Sequence, residues 1–410
     1  MRFTWVPDKR CALSGMTTFW GAKVTSASPL GVPPLGVYVH WPYCSRICPY
    51  CDFNVVRDRG RTDEQAALAD AIVADLTAQR ALTGPRRLLS IFFGGGTPSL
   101  MDPAQVARVI EAARALWTPA DDLEISLEAN PTDAEADRFE ALAAAGVARL
   151  SLGVQALDDA ALALLGRNHD AGSARRAIAV AARAFPRLSA DLIYARPGQT
   201  VEAWTRELGE LLALGPEHVS PYQLTIEPGT AFDRAVGRGK LVVPDEDLAA
   251  ALFETTQAVL EAAGFDAYEV SNHARGEAAR SRHNLVYWRG RDYVGVGPGA
   301  HGRLTLPDGK LATTARRGIA DYIRAVAETG VGFEREILTA LEAAEERLLL
   351  GLRIDDGVSF AEIAALELSP DTPKVKSLVE SGLLADDPLR LRATRSGRLV
   401  LDRLTGTLAT

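Results

Sequence analysis

Short apolar runs alternate with longer segments of helical periodicity between residues 35 and 265. The apolar runs lie at 35–40, 88–93, 123–127, 148–153, 188–194 and 219–226. Segments between them, such as 104–116 and 171–184, place their apolar residues on one helical face. Repeated strand–helix units produce parallel strands with crossover helices. Six units are fewer than the eight of a closed barrel, so the pattern predicts an α/β fold, an open (β/α)6 barrel, over residues 35–265.

The pattern changes beyond residue 265. We expect a β/loop extension at 266–333, with strands or loops at 267–271, 283–288 and 293–296 and a glycine-rich run at 295–301. Residues 334–410 are predicted to form a helical domain, with helices at 340–352, 360–366 and 373–381 and two strand-like runs at 389–393 and 398–401. Three helices followed by a small hairpin predict a winged-helix-like module that packs against the barrel or covers it.

Composition and charge narrow the class of protein. The chain has 410 residues and a net charge of −8, which argues against nucleic acid as the main partner. With 47% hydrophobic and 24% charged residues the chain is not mostly disordered, and no apolar run approaches the roughly 20 residues that span a bilayer. Residues 1–34 form an unpatterned extension without the apolar segment of a signal peptide. We therefore expect a cytoplasmic protein.

Three of the four cysteines are closely spaced. Cys44, Cys48 and Cys51 form a CxxxCxxC motif directly after the first predicted strand, whereas Cys11 stands apart. Three thiolates can hold three irons of a [4Fe–4S] cluster, which leaves the fourth iron open to an amine and a carboxylate of a small molecule. A Cys₃His zinc site that includes His40 is the alternative. Arg46, between the cysteines, either stabilises the thiolates or is a solvated loop residue.

Further polar and glycine residues follow the predicted strands. The run Gly94-Gly95-Gly96-Thr97 comes after the second strand, where it forms either a ligand-binding loop or only a tight turn. The other strand ends carry Glu128, Gln155, Asp191, Tyr194, Tyr222 and Gln223. Each could be a satisfied core residue, but the active site of a βα barrel forms at this end of the strands. Their shared position therefore predicts a site there.

Several longer motifs resemble those of the oxygen-independent coproporphyrinogen III oxidase (HemN-like) family of radical S-adenosylmethionine (SAM) proteins. They are YVHWPYCSRICPYCDF, FFGGGTPSL, SLEANP, SLGVQALDD, LGRNHD, DLIYARPGQT and HNLVYW, and the carboxyl-terminal residues resemble the HemN C-terminal domain. The resemblance implies a radical SAM barrel with a [4Fe–4S] cluster on Cys44, Cys48 and Cys51. It implies SAM contacts by Tyr38, Gly95 and Glu128. By the same resemblance, five residues stand at positions that line a second SAM pocket in the oxidase: Gly96, Thr97, Gln155, Arg167 and Asp191.

Two features resemble the haem-chaperone branch, HemW, rather than the oxidases. Phe53 stands where the oxidase branch has a fourth cysteine, and residues 283–288 read HNxxYW. The resemblance implies haem binding, with His283 as a ligand and Tyr287 and Trp288 against the macrocycle. Residue types alone favour a structural role for these three, and the resemblance shifts the balance to haem; His301 and His273 are reserve ligands. Implied partners are client haemoproteins and an electron donor such as a flavodoxin or ferredoxin, with peripheral membrane association and oligomerisation also compatible.

The alternative function is catalytic. An oxidase of this family decarboxylates coproporphyrinogen III to protoporphyrinogen IX, and Phe53 argues against that activity here. Whether the chain is itself an enzyme stays open on the sequence alone.

Overall fold

The computed structural model describes residues 32–409 apart from 134–135. The predicted extension at 1–34, including Cys11, therefore lies almost wholly outside the described residues. One twelve-stranded sheet organises most of the chain. Its first six strands in chain order are β1 (Pro34–Trp41), β2 (Arg87–Gly95), β3 (Thr118–Ala129), β4 (Arg149–Gln155), β5 (Arg187–Tyr194) and β6 (His218–Gln223).

These six strands are parallel neighbours, and helices cross over between them. The helices of this part are α1 (Thr62–Thr83), α2 (Pro103–Leu116), α3 (Ala136–Ala144), α4 (Asp159–Leu164), α5 (Ala171–Ala184), α6 (Val201–Ala213), α7 (Ala231–Gly237) and α8 (Glu246–Ala262). The two ends of the sheet do not pair with each other in the described chain. The predicted open (β/α)6 barrel is confirmed, and the six predicted strands match the observed ones apart from their boundaries.

The segment after the barrel extends the same sheet at both edges. Beside β6 lie β7 (Asp266–Glu269) and β8 (Asn272–Ala274); beside β1 lie β9 (Tyr293–Val296), β10 (His301–Leu306), β11 (Gly309–Ala315) and β12 (Phe333–Ile337). Strand β9 is parallel to β1, and the others pair antiparallel. The helix α10 (Ile319–Thr329) packs on this edge and shares the barrel's hydrophobic core.

One local prediction in this segment is wrong. Residues 283–288, expected as strand or loop, lie in the helix α9 (Arg282–Trp288), which Ser281 caps by accepting from the N–H of Asn284. The short apolar run LVYW does not distinguish a helix from a strand by periodicity. The cap at Ser281 and the contacts of α9 with β1 and β2 decide the structure.

The carboxyl-terminal domain has a separate hydrophobic core around Leu348 and Leu404. Its helices are α11 (Ala340–Gly351), α12 (Pro373–Glu380), α13 (Arg395–Leu399) and α14 (Leu401–Ala409). A two-stranded sheet joins Val358–Ser359 to Arg390–Leu391. The expected hairpin is wrong, because residues 398–401 belong to α13 and α14 and the strand at 390 pairs with a more distant segment. Residues 360–366 form turns and a single 3₁₀ turn rather than a full helix.

Candidate metal and cofactor site

The carboxyl ends of β1–β6 border a cleft with a volume of about 590 Å³. All fourteen residues for which the sequence predicts a binding role line this cleft: Tyr38, Cys44, Cys48, Cys51, Gly95, Gly96, Thr97, Glu128, Gln155, Arg167, Asp191, His283, Tyr287 and Trp288. Tyr222 and Gln223 also line it. Tyr194 does not: its ring stacks on Trp204, with 5.5 Å between ring centroids, in the outer core.

The three cysteines are free thiols in this cleft. Cys44 lies on the short strand Tyr43–Cys44, which pairs in parallel with Val56–Arg57. The N–H of Cys51 donates to the carbonyl oxygen of Cys48 across 3.2 Å, which closes a tight turn between these two ligand positions. Burial raises the pKa of Cys44 to about 11 and that of Cys51 to about 12. Both thiols therefore keep their protons until a metal displaces them.

Arg167 supplies the positive charge beside the cysteines. Its Nη1 donates to Cys48 Sγ across 3.3 Å, and its Nη2 donates to the carbonyl oxygen of Gly153 across 3.1 Å. Arg46, for which the sequence left two roles open, is exposed, as the solvated-loop alternative expects, although it also lines the cleft. Local spacing could not identify Arg167, which is 119 residues away from Cys48 along the chain.

The glycine run packs directly against the segment that carries the first cysteine. Gly95 has φ +110°, and a Cβ there would lie 2.5 Å from His40 Cε1. A Cβ on Gly96 would lie 2.6 Å from the carbonyl oxygen of Tyr43. Glycine is thus required for the backbone to approach this neighbouring segment. The N–H of Gly95 then donates to Glu128 Oε2 across 3.1 Å, which fixes this carboxylate at the cleft wall.

His40 does not face the cysteines as a free ligand. Its Nε2–H donates to the carbonyl oxygen of Asn54 across 2.9 Å, and its Nδ1 accepts from the Tyr38 hydroxyl across 3.0 Å. Among residues 32–409, with 134–135 left aside, no three His, Cys, Asp or Glu side chains are grouped to hold a single metal ion. This geometry does not support the Cys₃His zinc alternative.

Two buried acids, Glu128 and Asp191, lie on one side of the cleft. Asp191 accepts hydrogen bonds from the hydroxyls of Ser151 (2.9 Å) and Ser189 (3.2 Å). Burial, together with the nearby charge of Asp191, raises the pKa of Glu128 to about 8. Burial also raises the pKa of Asp191. A cationic ligand would favour the charged form of both acids.

Buried polar atoms without partners mark the cleft as a ligand site. In the described part of the chain, Gln155 Oε1, Arg167 Nε and Trp288 Nε1 are buried and make no hydrogen bond. Gln155 also has φ +64°, a left-handed conformation that costs about 1 kcal/mol or more for a non-glycine residue. Unsatisfied polar groups and local strain in one concave site are typical of a site built for a polar ligand. The three thiols and these atoms together fit a cluster with a polar small molecule beside it.

The HNxxYW residues are tightly packed on α9. His283 is 1% exposed; its Nδ1 is hydrogen-bonded to Ser90 Oγ (2.8 Å) and its Nε2 to the Tyr287 hydroxyl (2.7 Å). Its ring stacks on Phe92 with 4.9 Å between centroids. Burial lowers the pKa of His283 to about 3, so the ring is neutral. A metal bond to this histidine requires one of the two hydrogen bonds to break.

The reserve histidines lie outside the residues that line the cleft. His273 is buried, with Nε2 hydrogen-bonded to Gln257 Oε1 across 3.2 Å. His301 is partly exposed on β10, with Nδ1 and Thr314 Oγ1 3.3 Å apart.

Sequence reasoning missed a contribution from the carboxyl-terminal domain. The guanidinium of Arg353 lies over the Trp288 ring, 4.7 Å from its centroid, and its Nε donates to Glu269 Oε1 across 2.7 Å. Glu269 is fully buried and, like Arg353, lines the cleft. No local pattern identifies this pair, because 84 residues separate its members.

Comparisons with known proteins assign the chain to a family. The sequence model of the Radical SAM superfamily matches residues 38–209, and that of the HemN C-terminal domain matches residues 338–400. The chain is 45% identical to the bovine mitochondrial radical S-adenosyl methionine domain-containing protein 1, over 90% of this chain and 86% of that protein. It is 36% identical to the haem chaperone HemW of Mycobacterium tuberculosis, over 94% of this chain and 97% of that protein. The chain belongs to the HemW family of radical SAM proteins.

Another HemW, from Escherichia coli, is 40% identical over 70% of this chain and 74% of its own length. The HemN coproporphyrinogen III oxidase of Escherichia coli superposes with a TM-score of 0.75 at 23% identity, covering 92% of this chain and 91% of that one. At that identity the superposition establishes the fold. Placement of the sequence in the HemW branch of the HemN-like family is confirmed.

Membership in the radical SAM superfamily implies a [4Fe–4S] cluster and SAM. The three cysteines line the cleft together with Gln155 and Arg167, which carry unpartnered buried atoms. Among the described residues, every helix is too short or too polar to cross a bilayer.

Proposed function

We propose that this protein is a haem chaperone that carries a [4Fe–4S] cluster and SAM and passes haem to client haemoproteins. The residue two positions after the third cysteine carries the proposal. Phe53 is 63% exposed at the cleft, where the oxidase branch has a fourth cysteine. An exposed aromatic side chain there has no thiol chemistry, but it presents apolar surface at the mouth of the cleft. Relatives named haem chaperone HemW support this function.

In this proposal Cys44, Cys48 and Cys51 hold the cluster, and Glu128, Gln155 and Asp191 are the polar contacts of SAM. When bound and reduced, the cluster supplies one electron for reductive cleavage of SAM. The protein's own residues orient and enclose these groups. Arg167 holds Cys48 in place by a hydrogen bond, and Gly95 fixes Glu128.

Haem is the cargo in this proposal, with α9 as its contact. Trp288 and Tyr287 provide aromatic surface at the cleft, and His283 is the proposed iron ligand. Because its Nε2 is hydrogen-bonded to the Tyr287 hydroxyl, haem binding competes with that bond. Substitutions at His283 and Tyr287 should therefore have different effects on haem binding.

The test is an anaerobic haemin titration of wild type and three variants, read by the Soret band. We expect His283→Ala to weaken haem binding and shift the Soret band. We expect Tyr287→Phe, which removes the competing hydroxyl but keeps the ring, to bind haemin at least as tightly as wild type. His273→Ala, a histidine outside the cleft, is the matched control and should not change the spectrum. An unchanged stoichiometry and spectrum in His283→Ala would refute this ligand.

A separate assay tests the function as a whole. Reconstituted protein is incubated anaerobically with coproporphyrinogen III, SAM and a reductant. We expect no protoporphyrinogen IX. Its steady formation would establish the oxidase alternative in place of the chaperone.

A further inference from the structure

A second cavity, of about 330 Å³, lies beside the cleft and has a positive lining. Four arginines line it, Arg57, Arg59, Arg61 and Arg317, and one acidic residue, Glu64, so its ionic lining is +4 − 1 = +3. We call this cavity the basic groove. All four arginines are exposed. Since the whole chain carries a net charge of −8, the groove is a local reversal of the protein's charge.

Most of this charge is not neutralised within the chain. Arg61 pairs with Glu64 across 3.3 Å. In the part of the chain that the structure describes, Arg57, Arg59 and Arg317 have no ion pair. The amino-terminal ends of α1 and α10 also border the groove, and neither has a side-chain cap. The dipoles of the two helices add positive potential there, which Asp63 and Glu64 in the first turn of α1 and Asp321 in that of α10 partly offset.

The groove lies on the reverse side of the cysteine-bearing segment. Along one stretch of chain, Cys51, Phe53 and Val55 line the cleft, whereas Asn54 and Val56 line the groove. The same division holds on the paired strand, where Cys44 lines the cleft and Tyr43 lines the groove. A single two-stranded ladder therefore separates the two cavities.

Hydrogen bonds make this partition rigid. The N–H of Val56 donates to the carbonyl oxygen of Pro42 across 2.8 Å, and that of Asp58 donates to the carbonyl oxygen of Cys44 across 2.7 Å. Asn54 Nδ2 donates to the carbonyl oxygens of Pro298 and Arg317, each across 2.9 Å, which ties the opposite rim of the groove to the partition. The arginines are thus held at a fixed position relative to the cysteines.

We propose that the basic groove is the docking surface for an acidic one-electron carrier protein that reduces the cluster through this partition. This docking proposal depends on the proposed function only in requiring that the cluster is present. One electron leaves the carrier's reduced centre, which is oxidised by one electron, and the cluster goes from the 2+ to the 1+ state. The step makes and breaks no bond and moves no proton. SAM and cargo occupy the cleft side, so the groove is the face that stays accessible.

Charge complementarity identifies the partner. A carrier with carboxylates around its redox centre meets the four arginines and is steered to this face, and such steering raises association rates by about 10- to 1,000-fold at low salt. The acidic net charge of the chain elsewhere repels the same partner, so the groove also sets its orientation.

Binding of a flavodoxin to two charge-reversed proteins tests this docking surface. The groove variant is Arg57→Glu/Arg59→Glu/Arg317→Glu. The matched control reverses three exposed arginines on the barrel helices, Arg114→Glu/Arg183→Glu/Arg206→Glu. Each variant changes the net charge by 3 × 2 = 6 units, from −8 to −14, so only the location of the change differs.

We expect wild type and control to bind flavodoxin with an affinity that falls steeply with salt, the control slightly weaker. In the groove variant we expect about tenfold weaker binding or more at low salt, and little salt dependence. Stopped-flow reduction of the reconstituted cluster by reduced flavodoxin should slow in parallel, while reduction by dithionite, which needs no docking, should not change.

Equal losses in the groove variant and the control would overturn the docking surface, as would a wild-type protein that does not bind flavodoxin. Displacement of flavodoxin by a short RNA at lower concentration would assign the groove to nucleic acid instead. Haemin titration of the same proteins separates this outcome from the chaperone function, because groove substitutions lie outside the residues that line the cleft.

Discussion

Asp75 on α1 is a fully buried acid that ties distant segments together. Its Oδ2 accepts from the Tyr322 hydroxyl across 2.8 Å, and its Oδ1 accepts from the N–H of Gly332 across 3.1 Å. The Tyr322 hydroxyl in turn accepts from the N–H of Gly297, in the glycine-rich run, across 2.9 Å. Burial raises the pKa of Asp75 from 3.8 to about 6, although both hydrogen bonds act to lower it.

This raised pKa predicts a pH dependence of stability. Between about pH 4 and pH 6 the folded protein keeps a proton on Asp75 that the unfolded chain has lost. The free energy of unfolding therefore falls as the pH rises, by up to about 1.4 kcal/mol per pH unit from this group. In Asp75→Asn this contribution should disappear. Urea unfolding across this pH window measures it as the difference in slope between wild type and variant, and identical slopes would contradict the assignment.

At the scale of secondary-structure elements, the close contact between the end of β2 and the cysteine-bearing strand leaves no room for a side chain at Gly96. Gly96→Ala would bring a Cβ to 2.6 Å from the carbonyl oxygen of Tyr43, a backbone atom that cannot rotate away. We expect it to lower the free energy of unfolding by about 1–3 kcal/mol and to reduce iron uptake on anaerobic reconstitution. Both are read from urea unfolding and metal analysis.

Gly209→Ala is the matched substitution on α6. Nothing lies within 4 Å of a Cβ at Gly209, and its backbone is helical. There we expect an increase in the free energy of unfolding of roughly 0.5–1 kcal/mol and normal iron uptake, because alanine favours a helix. Similar effects of the two substitutions would show that the close approach at Gly96 has no consequence.

Arg353 links the carboxyl-terminal domain to the barrel side of the molecule. Arg353 contacts Trp288 and Glu269, and its neighbour Ile354 pairs with Glu269 through the backbone. Arg353→Ala leaves the buried Glu269 carboxylate without its cation. We expect a loss of about 2 kcal/mol, below that of a fully buried pair because the Arg353 side chain is 27% exposed.

Hydrogen exchange locates that loss. Amide protection should fall across α11 and α14 in Arg353→Ala, with little change in β2–β5. The control is Arg289→Ala, whose partner Asp356 is 51% exposed, and for which we expect less than about 1 kcal/mol. Uniform loss of protection over barrel and carboxyl-terminal domain would mean that Arg353 does not join two separate units.

The sequence by itself determined the barrel and singled out the proposed cluster ligands. The strands β1–β6 are apolar runs buried on both faces, so their signal lies within a few residues of chain. The spacing of Cys44, Cys48 and Cys51 is equally local. Strand-end position pointed to Glu128, Gln155 and Asp191, and resemblance to a known family added Arg167 and the HNxxYW residues.

Only the tertiary structure decided what depends on contacts between distant segments. It joined β7–β12 to the barrel sheet, formed a helix from the HNxxYW residues, and brought Arg167 rather than Arg46 to Cys48. It also engaged both nitrogens of His283 and set the basic groove behind the cysteines. Periodicity encodes which face of a segment is buried, but not which partner, far along the chain, it is buried against.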